Sequence, residues 1–165
     1  MTDLPFARLL DTIRATQDAY YKLTILAGPS GSGKTRLLSQ LATGLQLPSI
    51  NLSLLLSQRL LSHTRRQRAL KAEEVAIEVI DEHLQSGLCL DDIEILFDST
   101  LRQNPLTFLQ DISRNRFIVA SWNGSIAGGE LRFAYAGHPD FFSQAVSGYP
   151  VVNVARDKLQ LYLTT

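Results

Sequence analysis

Apolar and polar positions form blocks with two different periods along the chain. Apolar residues recur at spacings of three and four over residues 34–42 and 72–87, which predicts two helices. Short, nearly continuous apolar runs predict buried strands at residues 23–27, 49–56, 93–98 and 117–122. Because such strands alternate with helices, we expect an α/β domain with a mainly parallel sheet sandwiched by helices.

Capping residues and later apolar runs extend this prediction. Gly44 and Gly87 are expected to end the two helices, and Asn104 is expected to cap a third helix whose first residue is Pro105. The stretches ELRFAY and YPVVNVA are typical of further strands. We therefore predict one nucleotide-binding domain over residues 1–165, with an N-terminal helix in 1–21 and a core in 22–165.

The composition narrows the class of protein. Of 165 residues, 45% are hydrophobic and 19% are charged, and no apolar stretch approaches the roughly 20 residues of a membrane span. The N-terminus mixes acidic and basic residues with spaced apolar ones, unlike a signal peptide. We expect a cytoplasmic protein without a membrane anchor. Cys89 is the only cysteine, which excludes an intrachain disulfide and a cysteine metal cluster.

The stretch GPSGSGKT at residues 28–35 carries the strongest chemical signal. It satisfies the pattern G-x-x-x-x-G-K-[ST], and it lies between a predicted strand and a predicted helix. Glycines let successive backbone N–H groups face a phosphate, and the helix start adds positive charge. The expected cofactors are ATP and Mg²⁺, with Lys34 on the β- and γ-phosphates and Thr35 on the metal ion. The predicted nucleotide-binding residues are Gly28, Pro29, Ser30, Gly31, Ser32, Gly33, Lys34, Thr35 and Arg36.

Asp98 is the predicted second Mg²⁺ ligand, because a carboxylate at the carboxyl end of a buried strand reaches the metal beside the loop. In many related ATPases a glutamate that orients the attacking water follows this aspartate directly, and here Ser99 follows. Hydrolysis would then need another base, for which Glu94, Asp111 and Glu130 are candidates. The sequence thus predicts a slow Mg²⁺-dependent ATPase at most.

Four further residues are candidates for contact with the γ-phosphate. The strand end IVASWN resembles the V-I-A-A-T-N context of AAA-type ATPases, which makes Asn123, or Ser121 two residues earlier, a candidate sensor. A strand-to-turn Asn-Gly pair without a ligand role is the plainer interpretation. Arg114 and Arg116 end a predicted helix, where they are candidates for an arginine finger or simply complement the helix dipole.

The order of predicted elements resembles the AAA-like division of P-loop proteins. A full member of that division continues into a helical lid domain, for which the 30 residues after Tyr135 are too few. With GPSGSGKT, ILFDSTLRQNPLTFLQDISRNR and FIVASWNG, the chain looks like BrxF, the small P-loop protein family of type-three BREX phage-defence systems. This resemblance implies a bacterial ATP-binding protein that works beside other defence proteins in discriminating phage DNA from host DNA. DNA is thus a candidate partner, expected to be reached through those proteins.

Charge is strongly separated along the chain although the net charge is zero. Eight basic residues and no acid lie between Ala19 and Ala72, whereas nine acids and no Lys or Arg lie between Glu73 and Asp98. The separation suits a nucleotide-dependent switch or assembly component that forms homo-oligomers. Two alternatives stay open: a small-molecule kinase that uses the Arg59–Arg68 cluster as acceptor or lid site, and a DNA-binding motor subunit.

Overall fold

The computed structural model describes residues 4–134, 137–156 and 158–163. Its α-helices are α1 (Phe6–Ala15), α2 (Lys34–Leu45), α3 (Leu52–Leu60), α4 (Arg65–His83) and α5 (Pro105–Ile112). Its strands are β1 (Leu23–Gly28), β2 (Ser49–Asn51), β3 (Leu88–Asp91), β4 (Ile118–Asn123), β5 (Ser125–Ala127), β6 (Glu130–Phe133), β7 (Phe142–Ala145), β8 (Pro150–Ala155) and β9 (Lys158–Leu163).

A sheet of six strands organises the described residues, in the order β2-β3-β4-β1-β8-β9. All neighbouring pairs are parallel except β8 and β9. The predicted α/β class with a mainly parallel sheet is confirmed. Strand β4 lies between β1, which precedes the glycine-rich loop, and β3, which ends at Asp91. This is the strand order of P-loop NTPase cores in which one strand separates the strand before the loop from the strand that ends in an acid. The carboxyl ends of these three strands meet at one edge of the sheet.

Apolar residues cover both faces of the sheet. Strand β1 is buried over its whole length, with Ile25 facing the side of α3, α4 and α5, and Leu26 facing α1 and α2. Such two-sided burial explains why the strand is a continuous apolar run rather than an alternating one. The helices thus sandwich the sheet, as predicted. No helix in the described part of the chain is long and apolar enough to cross a membrane.

Capping chemistry sets the helix ends, in part as predicted. The Asn104 side chain accepts a hydrogen bond from the backbone N–H of Thr107 at 3.0 Å, with Pro105 as the first helical residue. The helix predicted for 72–87 begins earlier, at Arg65, because Thr64 forms a capping box with Gln67, and it ends at His83. Gly44 does not end α2, which continues to Leu45 and closes on a left-handed Gln46.

Of the predicted strands, the one at 49–56 is formed only in part and the one at 93–98 is wrong. Only residues 49–51 of the first are extended, because the Asn51 side chain caps a helix by accepting from the Leu54 N–H at 2.9 Å. The apolar residues beyond it recur every four positions on the buried side of α3. Residues 93–98 form 3-10 turns instead of a strand, and the acidic strand is the four-residue β3. Short apolar runs fit both structures, so periodicity alone could not separate them.

A second, antiparallel sheet of β5, β6 and β7 adjoins the carboxyl end of β4 and was not predicted. The ELRFAY stretch supplies β6, and its Tyr135 lies outside the described residues. Phe97 anchors this sheet: its ring stacks on Phe133 with centroids 4.0 Å apart and meets Trp122 edge to face at 4.8 Å. The described residues after α5 form strands and turns, and no helix.

The N-terminal segment is shorter as a helix than predicted. Within the predicted 1–21, α1 spans Phe6–Ala15 and a 3-10 turn follows at Thr16–Asp18, while residues 1–3 lie outside the described part. Leu9 and Ile13 are fully buried against the α2 side of the sheet. The segment therefore belongs to the core rather than forming a separate unit.

Substituting Phe97→Ala is expected to destabilise the protein by about 3 kcal/mol or more, because it removes a ring that is 6% exposed and packs against both sheets. Urea unfolding followed by tryptophan fluorescence measures the change. Phe141→Ala is the matched control, since Phe141 is 41% exposed and should cost less than about 1 kcal/mol. Equal losses in the two variants would contradict the anchoring role of Phe97.

Candidate nucleotide-binding site

The loop between β1 and α2 leaves backbone donors open at the start of a helix. Gly31 and Gly33 have φ angles of 82° and 96°, which other residues rarely adopt. No side chain caps α2, so the first N–H groups of the helix have no partner from a capping side chain. Open N–H groups and the positive end of a helix together bind anions such as phosphate.

Gly28 allows the loop to pass close to β8. A Cβ atom at this position would lie 2.5 Å from the Val154 carbonyl oxygen and 2.7 Å from Ser32 Oγ. These distances are too short for any side chain without displacement of the backbone. The first glycine of the pattern is therefore required by close packing of the loop against the sheet.

Lys34 fills the middle of the loop. Its side chain is 6% exposed, and Nζ donates hydrogen bonds to the carbonyl oxygens of Gly28 and Pro29, both at 2.7 Å. Burial lowers the pKa of Lys34 from its ordinary value, while the carboxylates of Asp91 and Glu94 act in the opposite direction. Phosphate oxygens would provide stronger partners for this ammonium group than two neutral carbonyls do.

The Asp91 carboxylate joins three elements beside the loop. Its Oδ1 accepts hydrogen bonds from Thr35 Oγ1 at 3.4 Å and from Ser121 Oγ at 3.0 Å. The backbone N–H of Asp92 donates to the same oxygen at 3.0 Å. Thr35 lies on α2, Asp91 ends β3 and Ser121 lies on β4. A hydroxyl and a carboxylate in contact beside open phosphate donors fit the oxygen ligands that Mg²⁺ prefers.

Asn123 and Glu94 line the cleft together with the loop. Asn123 ends β4 opposite Gly28, and its Nδ2 donates a hydrogen bond to Glu94 Oε1. Both side chains line a cleft of about 1000 Å³ together with the loop residues, Arg36 and Asp91. The volume is large enough for a nucleoside triphosphate. The cleft thus brings together a backbone anion site, one lysine and the carboxylates of Asp91, Asp92 and Glu94.

The premise behind the predicted role of Asp98 is wrong. Asp98 does not end a strand beside the loop; its Oδ1 caps a 3-10 turn by accepting from Thr100 N–H at 2.9 Å and Thr100 Oγ1 at 2.7 Å. Its side chain lines a neighbouring cavity instead. Asp91, and not Asp98, ends the strand beside the loop. The available signal was the run LCLD, a short apolar stretch directly after Gly87 that ends in an acid.

The remaining candidate residues fall into two groups, those at the cleft and those elsewhere in the fold. The loop residues and Arg36, Ser121 and Asn123 lie at or beside the cleft, and of the three candidate bases only Glu94 lines it within the described residues. Asp111 lies on α5, and Glu130 accepts from Ser143 on the antiparallel sheet. Glu94 is therefore the base candidate that the geometry retains.

Arg114 and Arg116 precede β4, so they lie at the opposite end of the parallel strands from the loop. The Arg114 guanidinium lies over the Tyr20 ring, 5.2 Å from its centroid. Arg116 makes a two-pronged ion pair with Asp81, at 2.6 and 2.9 Å. This pair raises the pKa of Arg116 and lowers that of Asp81, so its stabilising contribution is lost as the pH falls through the lowered pKa of Asp81.

Comparison with known proteins gives a modest likeness to solved structures. No protein-family model matches the sequence, and no curated protein matches it either. Among solved structures, PCH-2 of C. elegans matches with a TM-score of 0.40 and 22% sequence identity. The match covers 73% of this chain and 36% of that one, so this chain spans little more than a third of its length.

Asp91→Asn is expected to weaken Mg²⁺-dependent ATP binding by about 10-fold to 100-fold, because it removes the carboxylate charge beside Thr35. Asp98→Asn is the matched control, since its carboxylate caps a turn outside the cleft, and it should change the affinity by less than about 2-fold. Isothermal titration with ATP, with and without Mg²⁺, measures both variants. A larger loss in Asp98→Asn than in Asp91→Asn would refute the assignment of Asp91.

Proposed function

We propose that this protein binds ATP with Mg²⁺ and acts as a nucleotide-dependent switch or assembly component. The observation that carries the proposal is the contact of Thr35 on the phosphate loop with Asp91 at the end of β3, at 3.4 Å. These residues are far apart in the sequence, and only the strand order brings them to one point. This site suits a metal-bound triphosphate better than a lone anion, because a hydroxyl, a carboxylate and a buried ammonium group lie together at an open helix start.

Each side chain of the cleft has a role that follows from its position. Lys34 would move its ammonium from two carbonyls to phosphate oxygens, and Thr35 and Asp91 would hold Mg²⁺. The bound ion neutralises phosphate charge. Ser121 donates to Asp91 and so positions that carboxylate, which fixes the orientation of the oxygen facing Thr35. Asn123, at the end of β4, is the candidate for contact with the terminal phosphate.

Glu94 is the group that would accept a proton from water, if its carboxylate were free. In this structure its Oε1 accepts the Asn123 amide, which leaves one carboxylate oxygen open. The contact occupies part of the carboxylate that would otherwise accept a proton from water. We therefore infer that the isolated protein hydrolyses ATP slowly and that nucleotide occupancy, rather than turnover, controls its state.

The kinase alternative loses its main support from the sequence. It required free arginines in the Arg59–Arg68 cluster, but Arg59 pairs with Glu82 at 2.6 Å. Arg68 donates through Nε to the carbonyl oxygens of Leu60 and His63 at 3.0 and 3.1 Å. Arg59 and Arg68 are therefore not available to neutralise a transferred phosphoryl group. Arg65 and Arg66 have no side-chain partner among the described residues, but they line a cavity that shares no lining residue with the nucleotide cleft. The switch is therefore the function that the geometry supports best.

Lys34→Ala is expected to abolish ATP binding, because it removes the buried ammonium group of the loop. Glu94→Gln should retain binding and lower phosphate release by about 100-fold or more. Asp111→Asn is the control carboxylate outside the cleft and should change neither quantity. Isothermal titration measures ATP binding by all three variants. Light scattering with no nucleotide, ADP, ATP and a non-hydrolysable analogue, with phosphate measured in the same samples, measures assembly and hydrolysis.

A change of mass that appears with ATP and its analogue but not with ADP supports the switch. One unchanged mass in every sample would contradict nucleotide-controlled self-assembly. Rapid phosphate release by the free protein would contradict the slow site. Loss of binding in Asp111→Asn would show that the cleft has been misplaced.

The BrxF-like motifs support a finer proposal: a bacterial cytoplasmic component of an anti-phage system that works with other defence proteins. Its support is the sequence alone, namely GPSGSGKT with the two later stretches. In a host with a complete type-three BREX system, this chain should replace the resident small P-loop protein and restore resistance in phage plating. Lys34→Ala should fail in that assay. Failure of the unmodified chain would refute the defence role and leave ATP binding unaffected.

A further inference from the structure

The basic segment between Arg59 and Lys71 divides into paired and unpaired side chains. Arg59 and Lys71 form ion pairs with glutamates of α4, and Arg68 donates to main-chain carbonyls. Arg65 and Arg66, in the first turn of α4, make no side-chain hydrogen bond or ion pair with any described residue, and both are exposed. Two guanidinium groups are thus left without a protein partner where the chain doubles back from α3 to α4.

Arg102 joins these two arginines from a distant part of the sequence. It follows the 3-10 turn Ser99–Leu101, which packs against α4 through the buried Leu101. Its φ angle of 53° is uncommon for a residue with a side chain. Arg102 also has no side-chain partner among the described residues, and it is exposed. The anchored turn therefore holds a third unpaired arginine beside the first two.

The three arginines line one cavity of about 770 Å³. The other lining residues are Ala69, Leu70, Ser99 and Thr100. Apart from the two hydroxyls, every polar side chain in this lining is a cationic donor. The carboxylate closest in sequence, Asp98, is occupied by hydrogen bonds from Thr100. A site of this composition favours ligands that offer several anionic acceptors.

This cavity is separate from the nucleotide cleft, because the two share no lining residue. It is also far larger than a single phosphate ion needs and is open to solvent, which suits a polymer that runs through it. Phosphodiester oxygens accept bidentate hydrogen bonds from guanidinium groups. Hydroxyls such as those of Ser99 and Thr100 commonly contact nucleic-acid backbones as well. Leu70, 73% exposed at the rim, offers an apolar surface to a sugar.

We propose that Arg65, Arg66 and Arg102 form a nucleic-acid site that holds backbone phosphates independently of bound ATP. The site carries no group that reads base edges, so binding is insensitive to sequence. Neutralised phosphates release counterions, which makes the affinity fall steeply with salt. The proposal does not depend on the nucleotide site, and the two can fail separately.

The test is fluorescence anisotropy with end-labelled DNA, single-stranded and duplex, over a series of salt concentrations. The triple variant Arg65→Gln, Arg66→Gln, Arg102→Gln should bind at least about 10-fold more weakly and lower the slope of log affinity against log salt by about 2. A control triple variant, Arg8→Gln, Arg114→Gln, Arg132→Gln, loses the same charge elsewhere and should retain both values. Lys34→Ala should bind DNA normally while failing to bind ATP.

Several results would overturn the proposal. They are no DNA binding by the unmodified protein at low salt, equal losses in the two triple variants, and binding of poly-glutamate in place of DNA. Displacement of DNA by millimolar inorganic phosphate would also overturn it, because the site would then recognise free phosphate. Arg102→Lys, which retains the charge without the planar fork, should weaken binding less than Arg102→Gln. Circular dichroism confirms that each variant is folded.

Discussion

The hydrogen bonds to Asp91 Oδ1 are the interaction on which the candidate site depends. Three donors converge on this one oxygen, from α2, from β4 and from the next residue of the chain. A hydrogen bond to a charged group contributes about 1.5–3 kcal/mol, more than a neutral one. The contact requires β4 to lie between β1 and β3 in the correct register. The sheet thus aligns the glycine-rich loop with the end of β3, and the cleft lies where the two meet.

The small antiparallel sheet continues from the carboxyl end of β4, next to the cleft residue Asn123. Strand β4 continues past Asn123 into the antiparallel β5, and the Trp122 Nε1 donates to the Arg132 carbonyl oxygen at 3.1 Å. Phe97, four residues beyond Ile93, packs its ring between Trp122 and the strands of that sheet. Glu94 lies on the turn that Phe97 anchors. Packing of the small sheet and the position of the candidate base are therefore linked through one short turn.

In the fold, the charged residues of the two halves form two kinds of surface: ion pairs, and a cluster of arginines without acidic partners. Several bases of the first half meet acids of the second: Arg59 pairs with Glu82, and Lys71 pairs with Glu74. Both pairs are well exposed, and such pairs contribute about 1 kcal/mol or less. Arg65, Arg66 and Arg102, which have no side-chain partner among the described residues, lie together instead where α4 meets the turn before α5. A net charge of zero is thus compatible with a locally basic cavity. The separation of charges along the sequence indicates such a surface but not which residues form it.

The sequence by itself determined the phosphate loop, the strand before it, the helix after it, and the Asn104 cap, because each depends on neighbouring residues and local backbone preference. Only the tertiary structure decided which acid reaches Thr35. Residues 88–91 and 93–98 are both short apolar runs that end in aspartate, and their periodicity is equally compatible with strand or turn. Residues 88–91 form the strand because the backbone of β3 pairs with both β2 and β4. Residues 93–98 form a turn instead, in which Phe97 is buried against rings from distant strands. Pairing and packing of this kind join residues remote in sequence, and local pattern carries no information about them.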